Sequence, residues 1–90
     1  MNVFWSDYFI YRAKLRGYDL SKVESILKYS DERYYDTETQ RSIVVRKHDE
    51  RVVIISYEIK DKTITPITIH AITRQKIKFR IKIGRLTRYE

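Results

Sequence analysis

The residues best suited to do chemistry in this sequence are the cations that crowd its C-terminal end. Residues 73–90 contain seven Lys or Arg side chains against a single acid, Glu90. Because cations concentrated in one segment raise the local electrostatic potential, this segment is expected to attract polyanions. Its basic residues are Arg74, Lys76, Lys78, Arg80, Lys82, Arg85 and Arg88.

The rest of the chain is close to neutral. Residues 1–72 carry 12 Lys or Arg side chains against 11 Asp or Glu side chains. Two copies of the basic segment would repel each other and could meet only through an acidic molecule between them. The charge distribution therefore predicts nucleic acid, or an acidic protein that imitates it, as the first partner to consider.

The composition excludes several other chemistries. The 90 residues include no cysteine, so neither a disulfide nor a thiolate site can form, and two histidines alone give no metal-ligand spacing. With two glycines the chain has no glycine-rich phosphate loop. No apolar run approaches the roughly 18 residues of a membrane span. We expect one domain over residues 1–90, no metal or cofactor, no membrane partner and a cytoplasmic location.

Two short helices are predicted at the N-terminal end. Ser6 can cap a helix from about Asp7 to Arg16, and Gly17 can take the left-handed conformation that ends it. Tyr8, Tyr11 and Leu15 have the spacing i, i+3, i+7 and would form one apolar stripe for packing.

A second helix should follow at once and pack on the first as a hairpin. Ser21 and Glu24 match a capping box, in which the two side chains satisfy free N–H groups of the first turn. The same i, i+3, i+7 spacing is repeated by Leu20, Val23 and Leu27.

The middle of the chain has the composition and spacing of β-strands. Short polar links separate the segments, which favours an antiparallel meander. Pro66 has no N–H to donate, so it belongs near the start of the last strand or at a bulge. The predicted strands cover residues 32–36, 41–47 and 52–59, with a final strand from about Ile64 to Ala71.

Residues 77–83 fit two structures. The alternation Ile-Lys-Phe-Arg-Ile-Lys-Ile is typical of a strand, whereas the helix formers before it and Gly84 after it favour a helix. A helix here would have two apolar faces, one for its own sheet and one for a second protein.

Two patterns in the chain carry a resemblance to a known family. Residues 5–17 read Trp-Ser-x-Tyr-x-x-x-Arg-x-x-x-Arg-Gly, and residues 67–74 read Ile-Thr-Ile-His-Ala-Ile-Thr-Arg. The first is similar to an aromatic-Ser-x-His-x-x-x-Arg-x-x-x-Arg-Gly opening, with Tyr8 in the place of the histidine. The second is similar to a last strand that leads into a closing helix. Together with the order of elements, these patterns resemble the RelE/ParE superfamily of toxins, in particular its BrnT-like branch.

The resemblance implies a fold and a function. Because the family closes with a helix, we predict an α+β fold with two N-terminal helices, an antiparallel three- to four-stranded sheet and a C-terminal basic helix. The resemblance further implies a toxin-type endoribonuclease of a type II toxin–antitoxin system. Such a protein cleaves RNA, often ribosome-bound mRNA, without a metal, and an acidic antitoxin protein neutralises it.

Cleavage of RNA without a metal needs a base for the 2′-OH proton, cations for the phosphorane and an acid for the leaving oxygen. At the end of the last predicted strand, His70 is the predicted acid–base group. The predicted phosphate clamps are Arg74 and Arg46, and Tyr57 would offer a hydroxyl or a stacking face. The predicted nucleic-acid-binding residues are Lys47, Lys78, Arg80, Lys82 and Arg85.

Some of the charged residues also have a plainer interpretation. His70 could simply be bonded to backbone, and Arg46 and Lys47 could be a solvated strand end. Arg12 could be a structural ion-pair partner for Asp19 or Glu24. The alternative function is therefore a protein of the same fold that binds nucleic acid or an acidic partner without cutting it. A small chain also allows a homodimer.

Overall fold

The computed structural model describes residues 1–89, which form three helices and six strands. The helices are α1 (Asp7–Leu15), α2 (Leu20–Tyr29) and α3 (Arg74–Lys82). The strands are β1 (Asn2–Val3), β2 (Arg33–Asp36), β3 (Arg41–His48), β4 (Arg51–Lys60), β5 (Thr63–Ala71) and β6 (Leu86–Arg88).

All six strands join one sheet in the order β1-β5-β4-β3-β2-β6. The predicted α+β class and the meander from β2 to β5 are confirmed. The prediction of three or four antiparallel strands is wrong, because β6 adds to β2 and β1 pairs in parallel with β5. The two additional strands have two and three residues, too few for a period-two pattern to be recognised.

The two faces of the sheet are covered by different helices. On one face, α1 and α2 pack on Val44, Val53, Ile55 and Ile69. The opposite face is covered only in part, by Ile77 of α3, which packs with the apolar side chains of a smaller cluster. Because side chains alternate along a strand, Ile54 faces α3 while its neighbours Val53 and Ile55 face α1 and α2.

Helix α1 begins and ends as predicted but buries a different face. Ser6 caps it by accepting a hydrogen bond from the backbone N–H of Phe9, and Gly17 follows its end at φ +79°. The buried residues are Phe9 and Ala13, an i, i+4 pair that faces the sheet. The predicted stripe is wrong, since all three of its members are exposed: Tyr8, Tyr11 and Leu15.

Helix α2 follows as predicted, but its cap is Asp19. The Asp19 carboxylate accepts hydrogen bonds from the backbone N–H groups of Ser21 and Lys22, so the predicted capping box at Ser21 is wrong by two residues. The backbone N–H of Asp19 in turn donates to Nε2 of the buried His48 at 2.9 Å. This bond ties the start of α2 to the end of β3.

The ambiguous C-terminal segment is a helix. Thr73 caps α3 by accepting from the N–H of Lys76, and Gly84 follows its end at φ +80°. In the helix only Ile77 is buried, and this residue anchors α3 to the sheet. Three large apolar side chains nearby stay exposed: Phe79, Ile81 and Ile83.

The strand that carries His70 is irregular at Pro66, as the sequence predicts. Across β4 and β5, Ser56 pairs with Thr68 but Tyr57 pairs with Pro66, so β5 has one extra residue at Ile67. The bulge shifts the register, and it leaves Thr68 and His70 on the same face as Ser56 and Ile54, the face that α3 covers only in part.

Candidate nucleic-acid interface

A cleft of about 370 Å³ lies between α3 and the part of the sheet that α3 leaves uncovered. Its floor is apolar, formed by Ile43 of β3 and Ile54 of β4. The rest of its lining is polar and is formed by Asp36, Thr39, Arg41, Ser56, Thr68, His70, Arg80 and Arg85. An apolar floor with a few convergent polar groups is the usual construction of a ligand site. We call this space the arginine cleft.

Strand register brings the residues of the arginine cleft together. Ile54 pairs directly with His70, and Ser56 pairs with Thr68, so the four side chains form a patch on adjacent strands. On α3, Arg80 comes three residues after the buried anchor Ile77 and therefore points to the same side of the helix. The sheet thus supplies the floor of the cleft, and α3 supplies Arg80 beside it.

One of the three arginines in the cleft is already paired. Arg85 contacts the Asp36 carboxylate, with Nη2 and Oδ2 at 3.2 Å, and Asp36 also accepts from the backbone N–H groups of Glu38 and Thr39. Burial raises the pKa of Asp36, but the hydrogen bonds from Arg85, Thr39 and Glu38 outweigh it and leave the pKa below its ordinary 3.8. Arg85 therefore holds the fold together at this wall and is only partly available to a ligand.

The other two arginines have free guanidinium groups. Arg41 and Arg80 are both half-buried, and within residues 1–89 no carboxylate lies at ion-pair distance from either of them. A half-buried cation without a carboxylate partner favours an anionic ligand, because the ligand restores the interaction that burial has taken away. Planar guanidinium groups suit phosphate oxygens in particular.

The hydrogen bonds of His70 fix its tautomer. Nη1 of Arg16 donates to the backbone carbonyl of Ile69 at 2.6 Å and lies 3.1 Å from Nδ1 of His70. Because a guanidinium group can only donate, Nδ1 must be the acceptor, and the proton of the neutral ring lies on Nε2. In this state His70 can donate a hydrogen bond from Nε2 to a phosphate oxygen.

The surroundings of His70 also keep the ring neutral. Its pKa is lowered from the ordinary 6.5, first by burial and then by the positive charges of Arg16, Arg12 and Arg80. At neutral pH the ring is therefore uncharged, and its single N–H proton is on Nε2. A histidine in this state is a good hydrogen-bond donor to an anion and a poor general acid.

The residues predicted as catalytic do not all meet. His70 lies in the arginine cleft, but Arg74 lies at the other end of α3, where it pairs with Glu32 at 2.6 Å. Arg46 and Lys47 line a separate shallow groove beside Arg74. The structure thus separates the predicted acid–base group from both predicted phosphate clamps.

Tyr57 is also separate from His70. It is buried on the face of the sheet that α1 and α2 cover, where its hydroxyl lies 3.1 Å from Nη1 of Arg33. Since β4 side chains alternate, Tyr57 cannot face the same side as Ser56 and Ile54. Its hydroxyl is therefore directed away from the arginine cleft.

Among the predicted nucleic-acid-binding residues, Arg80 and Arg85 line the cleft. Lys78 and Lys82 are exposed elsewhere on α3. Arg41 was not among the predicted site residues, and no ligand role was predicted for Arg16. Period-two alternation from Ile43 would have placed Arg41 on the correct face of β3, but the contact between Arg16 and His70 spans 54 residues and follows only from the fold.

Three further findings concern metal ions, membranes and relatives. Residues 1–89 contain no group of three His, Asp or Glu side chains placed to hold a metal ion. None of the helices described above is long and apolar enough to cross a membrane. Comparison of the chain with known protein families, with curated proteins and with solved structures finds no match in any of the three.

Proposed function

We propose that this protein binds single-stranded RNA through the arginine cleft. The observation that carries the proposal is the pair of half-buried arginines, Arg41 and Arg80, which line a cleft with an apolar floor and have no carboxylate at ion-pair distance within residues 1–89. In this arrangement the arginines and the N–H of His70 hold phosphate oxygens, and Ile43 and Ile54 contact a sugar or a base.

Single strands fit this site better than a duplex. The floor of the arginine cleft is apolar, and a base can contact it only when the base is not held in a stack, as in unpaired RNA. A paired helix would present only its phosphate backbone to the polar lining. An acidic protein segment would compete for the same cations, which is the second partner that the charge of the chain predicts.

The direct test of this function is a binding titration with a fluorescent single-stranded RNA at several salt concentrations. We expect the logarithm of the affinity to fall linearly with the logarithm of salt concentration, with a slope of roughly −0.7 per phosphate contacted. A duplex of the same sequence should bind more weakly. Absence of binding at low salt, or equal affinity for the duplex, would contradict the proposal.

RNA cleavage is the second candidate function, and the position of His70 between Arg80 and Arg16 favours it. In such a reaction the 2′-oxygen attacks phosphorus, a base takes its proton, and the bond to the 5′-oxygen breaks as that oxygen gains a proton. The products are a 2′,3′-cyclic phosphate and a 5′-hydroxyl. Because Nδ1 of His70 is occupied by Arg16, the ring can act as a base only after that contact opens.

Cleavage is therefore best tested separately from binding. RNA of natural sugar chemistry and its fully 2′-O-methylated counterpart are incubated with the protein in the presence of a chelator. A RelE/ParE-type endoribonuclease would shorten only the first, and His70→Gln would stop it. Persistence of both RNAs, with binding intact, would leave RNA binding as the function and remove the enzymatic one.

Binding should also depend on pH through His70. The pKa of His70 lies below 6.5, so the ring gains a proton and a positive charge as the pH falls from 7.5 to below that value. We expect RNA affinity to rise several-fold over this change. In His70→Gln the affinity should stay flat over the same range at constant ionic strength. The same rise in wild type and variant would show that another group is responsible.

As the pH falls, the stability of the free protein should decrease, whereas the affinity for RNA should increase. A histidine whose pKa is depressed by folding resists protonation in the native state. Its contribution to stability is therefore complete above pH 6.5 and is lost as the pH falls through the folded pKa. RNA binding and folding thus respond to acid with opposite signs at this one residue.

A further inference from the structure

A second, smaller groove continues from the arginine cleft across β5. It has a volume of about 50 Å³ and lies between β5 and α1. His70 and Thr68 line both spaces, so the two meet at these side chains. On the α1 side the groove is lined by Tyr8, Arg12 and Arg16.

Near His70, no strand of the described part of the chain covers the edge of β5 between the arginine cleft and the small groove. Within residues 1–89, β1 is the only strand beyond β5, and it pairs with β5 at Thr63 and Ile64 alone. The carbonyl of Ile69, further along this edge, is satisfied by the side chain of Arg16 instead of a neighbouring strand. The edge at His70 is therefore open to a ligand that leaves the cleft.

Cations lie on both sides of the crossing point. Arg80 of α3 lines the arginine cleft together with His70, and Arg12 and Arg16 of α1 line the small groove together with His70. Within residues 1–89 neither Arg12 nor Arg16 forms an ion pair with a carboxylate. A phosphate chain that crosses β5 at His70 would thus meet positive charge along its whole path.

Tyr8 gives the small groove an aromatic surface. Its side chain is 65% exposed although it lies on a helix that packs against the sheet. The Arg12 guanidinium lies 5.7 Å from the centre of the Tyr8 ring, and Nη1 of Arg12 donates to the Tyr8 hydroxyl at 3.3 Å. Arg12 therefore orients an exposed ring, and bases stack on such rings in single-stranded nucleic-acid sites.

We propose that a single-stranded nucleic acid held in the arginine cleft crosses β5 at His70 and stacks its next base on Tyr8, with the adjoining phosphate beside Arg12 and Arg16. This inference rests on the proposed function, since it extends the same ligand beyond the cleft. It assigns to α1 a recognition role and makes the exposed Tyr8 a binding residue.

The chain supplies a matched control for this proposal. Tyr11 is 62% exposed on the same helix, but it does not line the groove. The probe is a 2′-O-methyl hexauridylate, which a ribonuclease cannot cleave, and the short reference ligand is a dinucleotide with one phosphate. We expect Tyr8→Ala to weaken hexamer binding about tenfold and dinucleotide binding less than twofold. Tyr11→Ala should leave both affinities unchanged.

A second pair of variants checks the phosphate contact through the salt slope, which a change in the orientation of the Tyr8 ring alone would not alter. Arg12→Gln should weaken the hexamer and reduce its salt slope, whereas Lys14→Gln, an exposed cation on the same helix, should leave the slope unchanged. Arg80→Gln could weaken binding of both ligands while Tyr8→Ala and Arg12→Gln change neither affinity. This result would show that the proposed path across β5 is wrong and that the arginine cleft alone binds RNA. If the wild type binds neither ligand, the proposed function and the path both fail.

Discussion

Replacing Arg41 and Arg80 together by glutamine is expected to weaken binding of single-stranded RNA about 100-fold or more at 0.1 M salt. Each guanidinium group makes a charge-assisted contact to phosphate worth about 1.5–3 kcal/mol, and 1.4 kcal/mol corresponds to a tenfold change. The salt slope should become shallower by about 1.4, the value for two phosphate contacts on a single strand.

The double variant should keep its fold, because neither guanidinium group has a carboxylate partner to lose within residues 1–89. A matched control removes the same charge elsewhere: Lys60 and Lys62, both exposed at the turn between β4 and β5, are replaced by glutamine. An equal loss of affinity in the two double variants would mean that net charge, and not the arginine cleft, drives binding.

Replacing Asp36 by asparagine is expected to lower the free energy of unfolding by about 2–3 kcal/mol. The Asp36 side chain is 4% exposed and accepts hydrogen bonds from Arg85 and from two backbone N–H groups. Removing one partner of a buried ion pair costs about 3–5 kcal/mol, and the expected value is lower here because the Arg85 side chain is 25% exposed. Chemical denaturation of both proteins measures the difference.

Glu38 provides the matched control for Asp36. It contacts the same arginine, with Nη1 of Arg85 and Oε2 of Glu38 at 3.3 Å, but its side chain is 68% exposed. Glu38→Gln should therefore change the free energy of unfolding by less than about 0.5 kcal/mol. Equal losses from the two substitutions would show that burial does not distinguish the two contacts.

The pH dependence of stability provides a further check on Asp36. Its pKa is depressed by folding, so its contribution is present above 3.8 and is lost as the pH falls through the folded value. Wild type should lose stability in this acid range more steeply than Asp36→Asn, which has no carboxylate at this position to protonate. Parallel pH profiles would contradict the assignment.

The sequence predicted the elements better than their buried faces. The caps and stops of the helices are local signals, so Ser6 and Gly17 could be recognised from neighbouring residues. The stripe on α1 was wrong because tyrosine counts as apolar in a periodicity argument, yet Tyr8 and Tyr11 face outwards. What decides burial is close packing against the sheet, which the small Ala13 permits.

The candidate site could be predicted only in part, because register and the second face of the sheet are not local properties. His70 and Arg80 were recognised by residue type and position. The assignment of Tyr57 and Arg46 to the same site assumed that neighbouring strands present them together, whereas the register places Tyr57 on the opposite face from His70. No local signal connects Arg16 to His70, which are joined by tertiary folding alone.

The central claim is that RNA binds in the arginine cleft, and an NMR titration of the isotope-labelled protein with 2′-O-methyl hexauridylate tests it most directly. We predict that the largest chemical-shift changes fall on Thr68, His70 and Arg80, and that the Nε2 proton of His70 is protected from solvent exchange. Changes concentrated instead on Arg46, Lys47 and Arg74 would place the RNA in the separate groove that these residues line, and would contradict binding in the arginine cleft.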